Sequence, residues 1–345
     1  MVEPADRSEE GVGRPYRPGS ARPVVPAPSP QRLVQILLGL IWLADGALQL
    51  QPYMFGRGFV TGMLMPTAAG NPAPVASSIT AMARFLEPHI AVWNALFALT
   101  QLAIGAGLLL RRTVRPALAV SFAWSLLVWW FAEGLGGILT GSASPLSGAP
   151  GAVLLYVLVG LLAWPRRETG EAREASGEGA GRPLLHVGGG GLLDGIGARV
   201  AWAVLWVGSA AMLLQPANLA GGALRGALEA AKAGQPGWYA SVLSGAARVL
   251  GPYGVPLTLA LAAEMVLVGV GVALGWRVPA LLGVAMVLAA VIWVLPEGLG
   301  GVLTGQGTDP NTGPLLALAG LAWYRARPEL IARRVMARAP VASAA

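Results

Sequence analysis

The sequence predicts an all-α membrane protein. It has eight transmembrane helices, arranged as two parallel four-helix repeats with short interfacial amphipathic helices on the outer side. Three observations carry this. Over half of the 345 residues are apolar and only 12% are charged, where a soluble domain carries about a quarter. The apolar residues gather in blocks near the roughly 20 residues that cross a bilayer as a helix, without the alternation of a barrel. Finally, Glu133-Gly-Leu-Gly-Gly-Ile-Leu-Thr-Gly141 returns as Glu297-Gly-Leu-Gly-Gly-Val-Leu-Thr-Gly305, each copy preceded by a tryptophan at the same offset, Trp129 and Trp293. The chain is a tandem duplication.

In order along the chain, residues 1–31 are rich in proline and arginine and predict a disordered tail. The first repeat covers 32–164, with apolar blocks at 32–50, 89–110, 114–132 and 150–164. Residues 165–198 form a linker of alternating acidic, glycine and arginine residues. Its Gly188–Gly191 run lacks the strand–helix context of a phosphate loop and predicts a flexible tether. The second repeat covers 199–325, with blocks at 199–214, 254–276, 278–295 and 312–324, and residues 326–345 form a basic tail. The fourth, fifth and eighth blocks are short for a full crossing. Either they tilt little, or backbone that re-enters the bilayer while buried in protein caps them.

Positive charge orients the chain. With eight crossings, nineteen of the 24 basic residues fall on one side and five (Arg57, Arg84, Arg225, Lys232, Arg248) on the other. The basic side faces the cytoplasm, so both termini are cytoplasmic and the Glu-Gly-Leu-Gly-Gly loops face outward. This also accounts for the isoelectric point near 10.5 without a nucleic-acid partner. Cysteine is absent, which excludes disulfides and thiolate clusters. The two histidines, His89 at the edge of a span and His186 in the linker, disfavour a bis-histidine haem within the bilayer, and no metal site is predicted.

The duplication singles out polar residues kept in both halves. Gln51 and Gln215 follow the first span of each repeat. Ser77, Thr80 and Arg84 recur as Ser241, Ser244 and Arg248 on one face of an amphipathic helix, with Ile79 and Leu86 recurring as Leu243 and Leu250 on another. An outer arginine has two readings: contact with lipid phosphate, or an ion pair with Glu133 or Glu297 at the mouth of a polar pocket. The glycines after each glutamate allow tight turns and close packing, or present amides to an anion. Trp129 and Trp293 serve as interface anchors or as pocket walls. Asp309-Pro-Asn-Thr predicts a turn that starts the last span. Deeper in the spans lie two acids. Asp45 aligns with Ser209, and Glu264 is set against Gln101. Intramembrane acids are functional candidates by default. Glu264 is expected to be paired or protonated, with Asn94, Gln101 or Ser121 as neighbours.

The stretch from Arg32 to Asp45-Gly-Ala-Leu-Gln49, with Ala263-Glu264 through Gly269, Gly271, Leu274 and Arg277, is similar to the four-helix unit of DoxX-like membrane proteins. In the first half Gln101, Gly105, Gly107, Leu108 and Arg111-Arg112 match the second of these stretches, with glutamine replacing the acid. The resemblance covers both repeats and implies a protein of the bacterial cytoplasmic membrane. It implies a quinone-associated or redox-accessory subunit acting with a membrane or periplasmic oxidoreductase partner, with quinone the one non-covalent cofactor. Arg84, Arg248, Glu133 and Glu297 would then meet the polar head and Trp129 or Trp293 would stack on it. The residues themselves also leave open a proton-coupled small-molecule transporter and a non-catalytic scaffold.

Overall fold

The computed structural model describes residues 29–165, 192–193 and 195–325. Most of the expected N-terminal tail and of the linker, with its glycine run, and the whole basic tail 326–345 lie outside them. The described residues are all helical, with no strand. The first half holds α1 (Pro30–Leu48), α2 (Ala73–Leu86), α3 (Ile90–Leu109), α4 (Val114–Phe131) and α5 (Ala152–Ala163). The second holds α6 (Gly195–Leu213), α7 (Ala223–Ala230), α8 (Gly237–Leu250), α9 (Gly254–Ala273), α10 (Val278–Val294) and α11 (Thr312–Arg325). Every apolar block of the sequence falls on one of these helices.

Local chemistry sets the boundaries. Ser29 caps α1 by accepting the Arg32 amide at 3.2 Å, and Pro30 occupies the first turn, where its missing N–H costs nothing. Between α2 and α3, Pro88 sits in a tight turn over Glu87–His89; between α8 and α9, Pro252 sits in a tight turn over Gly251–Tyr253. The surface helices sort their faces as the spacing predicts. Ile79 and Leu243 are fully buried, while Ser77, Arg84, Ser241 and Arg248 are exposed.

Five helical runs are long and apolar enough to cross a membrane: α1, α2 with α3, α4, α6, and α8 with α9. Helices α5, α10 and α11 are shorter but apolar. The twelve residues of α5 rise only about 18 Å, against a hydrocarbon core of about 30 Å. The chain between α4 and α5 compensates by folding inward, with Leu135, Leu146 and Ala149 buried. Around the outside, large apolar side chains face away from the protein, among them Leu99, Leu126, Val204 and Val287. A lipid bilayer is the surrounding this suggests.

Helix α1 packs on α3, and α6 packs on α9. Gly39 and Gly105 let α1 and α3 approach closely: a Cβ on Gly105 would stand 2.8 Å from the Gly39 carbonyl oxygen. The halves meet where α5 packs on α11 and α11 touches α1. One core joins them, with Trp42, Leu118 and Tyr156 in contact with a cluster that includes Leu315 and Ala319.

One end of the first half is closed by long polar side chains. Arg32 donates to the carbonyls of Leu108 (2.9 Å) and Leu109 at the end of α3. Gln35 donates to Ala163 (2.9 Å) and Gln31 to Trp164 (2.9 Å) at the end of α5. These bonds satisfy carbonyls that a helix end leaves open. Asp45, Gln49, Glu133 and the start of α5 lie at the other end.

Candidate functional site

The repeated Glu-Gly-Leu-Gly-Gly motif is a left-handed turn. Gly134, Leu135, Gly136 and Gly137 all have positive φ, between 57° and 68°, and so do Gly298, Leu299, Gly300 and Gly301. Such a run costs a side-chain-bearing residue about 1–2 kcal/mol per position and glycine almost nothing. The turn carries Glu133 to the start of α5, where Oε1 accepts the Val153 amide at 3.3 Å. Glu297 reaches the start of α11, accepting the Thr312 hydroxyl and the Gly313 amide (3.4 Å). A carboxylate there takes amides the helix leaves open and meets the positive end of its dipole. The amides of Gly136 and Gly300 donate to Glu133 and Glu297 carbonyls, each at 2.9 Å, so these two do not form an anion nest.

Burial pushes Glu133 up to about 8, helped by the charge of Asp309 and opposed by the Val153 and Ala152 amides. Burial also pushes Glu297 up, to about 7, against the donors of Thr312 and Gly313.

The expected ion pairs do not form. Arg84 and Arg248 are exposed, and Arg248 Nε contacts only the Ser244 carbonyl of its own helix, at 3.4 Å. Their helices turn the arginines outward, while helix amides take the role assigned to them beside the glutamates. Trp129 and Trp293 are latches rather than pocket walls. Their indole N–H groups donate to Pro150 (2.8 Å) and Pro310 (2.7 Å), fixing the loop before α5 and α11. Gln51 ties the halves together by donating to the Gly307 carbonyl at 3.0 Å. Gln215 sits in the turn after α6 with its side-chain oxygen buried and unpartnered. Asp309 opens the expected turn: its Oδ1 accepts the Asn311 amide at 2.7 Å.

A chamber of about 880 Å³ lies in the first half, at the end away from Arg32. Trp42, Trp93, Trp124 and Phe97 wall it, and Asp45, Gln101, Glu133, Tyr156 and Asp309 supply polar atoms. It opens sideways: Phe85 and Leu127 line it and yet are 60% and 54% exposed on the apolar exterior. Asp45 is 2% exposed; its Oδ2 accepts the Tyr156 hydroxyl while Oδ1 has no partner. Gln101 Oε1, Glu133 Oε2 and the indole nitrogens of Trp42 and Trp124 are also buried without partners. Gln49 and Asn94 close the wall by bonding each other, Asn94 Nδ2 donating to the Gln49 carbonyl at 2.9 Å. Asp309 comes from the second half, and burial raises its carboxyl above the usual range against the donors of Thr308 and Asn311.

The matching place in the second half holds a void of about 20 Å³. Trp206, Ser209, Met265 and Ile292 line it, 164 positions after Trp42, Asp45, Gln101 and Val128. Beyond the loop the offset drops to 160, so Leu316 answers to Tyr156 and Ala149 to Asp309. The loops cross over, and Ala149 and Pro150 of the first half line the second-half void. At four positions a polar side chain of the chamber is matched by a small or apolar one: Asp45 by Ser209, Gln101 by Met265, Tyr156 by Leu316 and Asp309 by Ala149.

Glu264 needs correcting. The residue that answers to Gln101 is Met265, which is buried, whereas Glu264 is exposed on the outer face of α9 with no hydrogen bond to Asn94, Gln101 or Ser121. One helical position is a 100° rotation, enough to turn it out of the core. Tyr156, Trp42 and Trp124 were not singled out by the sequence. The signal for Tyr156 was a comparison of the halves past a loop that is four residues shorter in the second, from Gly305 to Pro310 against Gly141 to Pro150. Compared with protein-family models, curated proteins and solved structures, the chain matches none.

Proposed function

We propose that this chain binds a lipid-soluble, ring-bearing amphiphile, taken into the first-half chamber sideways from the bilayer. One observation carries the reading: buried polar atoms without partners cluster around one aromatic-walled space, while the matching place in the other half has closed to about 20 Å³ and only the Trp206 indole nitrogen is left unpartnered on its wall. A buried polar group without a hydrogen bond costs about 1–3 kcal/mol, so five such residues around one chamber favour a ligand that supplies partners. The chamber's volume falls within the range usual for small-molecule sites, about 300–1,000 Å³. A quinone ring belongs to this ligand class, its carbonyls suited to the indole donors of Trp42 and Trp124. On that variant a partner oxidoreductase supplies the electrons, as the DoxX-like resemblance implies. A proton-coupled carrier is the second reading, favoured by Glu133, which titrates near pH 8 at the chamber wall.

The membrane arrangement belongs to the same proposal. The chain crosses the cytoplasmic membrane of a bacterium eight times as two like-oriented units, with both termini inside. Support comes from the paired glutamate caps, the paired tryptophan latches and the arginines at the end opposite the chamber.

Equilibrium dialysis of the full chain in detergent tests the ligand reading. The probes are menadione (a neutral quinone), tetraphenylphosphonium and tetraphenylborate. Saturable binding of at least one, near one per chain, is expected. Met82→Trp, which fills the chamber from α2, is expected to weaken it at least tenfold. If none of the three binds saturably, the reading fails.

A further inference from the structure

We infer that the chamber's ligand is a lipophilic organic cation, a positive charge carried on an aromatic or bulky apolar body. This rests on the ligand-binding reading above and names the class of ligand.

The first argument is charge. Three carboxylates, Asp45, Glu133 and Asp309, line the chamber, and no lysine, arginine or histidine does. Among the described residues the one ion pair is Lys232 with Glu229, on and just after α7. A cation entering this space favours the ionised form of acids that burial otherwise keeps protonated, while an anion finds no positive group to meet.

The second argument is the kind of polar atom left open. Asp45 is 2% exposed and Gln101 is 9% exposed, and each has an oxygen without a donor. Both oxygens only accept, so they call for an N–H or a positive centre. A quinone offers two more acceptors and satisfies neither. The indole N–H groups of Trp42 and Trp124 would serve a neutral acceptor elsewhere on the same molecule.

The third argument is the wall. Phe97 and Trp124 stand 5.4 Å apart, and Phe85 and Trp93 stand 5.3 Å apart, ring centre to ring centre. Indole faces attract cations by about 0.5–2 kcal/mol, most strongly where water is excluded. The acidic side chains do not converge as a metal site, so the positive charge that fits is a diffuse one on an organic body. The opening between Phe85 and Leu127 lies on the apolar exterior, which a molecule with such a body can reach from the bilayer.

The specialised half supports this. The second-half void has Ser209 and Ala149 where the chamber has Asp45 and Asp309, so two of the three carboxylates have no acidic counterpart in the second half.

Tetraphenylphosphonium and tetraphenylborate share a shape and differ in the sign of charge, so comparing them isolates the inference. With the full chain in detergent, tetraphenylphosphonium is expected to bind at least tenfold tighter than tetraphenylborate. Asp45→Asn and Asp309→Asn are each expected to weaken it about tenfold, and Ser209→Ala to leave it unchanged. Asp309→Asn lies in a loop outside the core helices; gel filtration reports whether each variant keeps its fold. Equal or tighter binding of tetraphenylborate overturns the cation inference, as does binding of menadione alone. So does unchanged tetraphenylphosphonium affinity in both folded variants. Those three results leave the ligand-binding reading standing. Absence of saturable binding by all three probes ends both.

Discussion

Glu133 and Glu297 do the same job in different company. Each carboxyl receives amides at the start of a short helix. Glu297 also receives the Thr312 hydroxyl, whereas the matching position beside Glu133 is Ala152, and Glu133 Oε2 is left without a partner. Fewer donors and deeper desolvation hold Glu133 at about 8 and Glu297 at about 7. Both folded values lie above the ordinary 4.5, so the native state keeps a proton that the unfolded chain has released. Stability is therefore full below about pH 4.5 and falls as pH rises toward about 8. In detergent the melting temperature is expected to drop by several degrees between about pH 5 and about pH 8. In Glu133→Gln the drop is expected to shrink, because one of the two titrating groups is gone. An equal slope in that variant would remove Glu133 from the account. The duplication singled out both glutamates, and the structure gives each the same place at the start of a helix. It also marked Arg84 and Arg248, and there the inference of a partner failed. Repetition shows that a residue keeps one role in both halves, and for these arginines the role is an outward-facing position on a surface helix.

At the scale of the element, the left-handed turn explains why the motif is so glycine-rich. Its backbone runs through four consecutive positive-φ residues and also passes very close to neighbours. A Cβ on Gly136 would stand 2.0 Å from the Pro150 carbonyl oxygen, and one on Gly134 would stand 2.3 Å from that of Thr67. Gly141 has φ of 74° but open space around it. Gly141→Ala is thus expected to cost about 1 kcal/mol, the conformational part alone. Gly136→Ala adds a backbone clash and is expected to cost at least about 3 kcal/mol. Thermal or denaturant unfolding in detergent compares the two. Similar losses would show that the close approach to Pro150 carries no energy. Sequence reasoning found tight turns and close packing here but not the handedness, because dipeptide signals do not encode a run of four left-handed residues. The helices were easier. Long apolar blocks ending at proline or glycine have few other ways to bury their backbone, and their boundaries came within a few residues. The short stretches from Pro52 to Ala68 were missed, since mixed polar and apolar residues without a period give no signal.

At the scale of the molecule, what the halves share and what they do not share carry different information. Shared residues build the frame: glutamate caps, tryptophan latches, left-handed turns. The chamber's polar atoms sit mainly where the halves differ, and those differences read poorly from sequence. Asp45 against Ser209 was visible. Gln101 was matched one position out of register, to Glu264 rather than Met265. Tyr156 and Asp309 lay beyond the change in loop length. The shared frame still makes a strong demand on topology. If two like-oriented units of four crossings each are right, the loops after α4 and α10 lie on one side of the membrane and the turns after α3 and α9 on the other. The chain has no cysteine, so single cysteines can be added without background. Ser142→Cys and Gln306→Cys fall in exposed loop positions, and Arg112→Cys and Trp276→Cys fall in exposed turns. In intact cells with the outer barrier opened, a membrane-impermeant maleimide is expected to label the first pair. The second pair is expected to react only after the inner membrane is broken. Labelling of Ser142→Cys and Gln306→Cys from opposite sides would mean an odd number of crossings between them. The glutamate caps would then sit at opposite surfaces, and Asp309 could not reach the chamber that Asp45 lines.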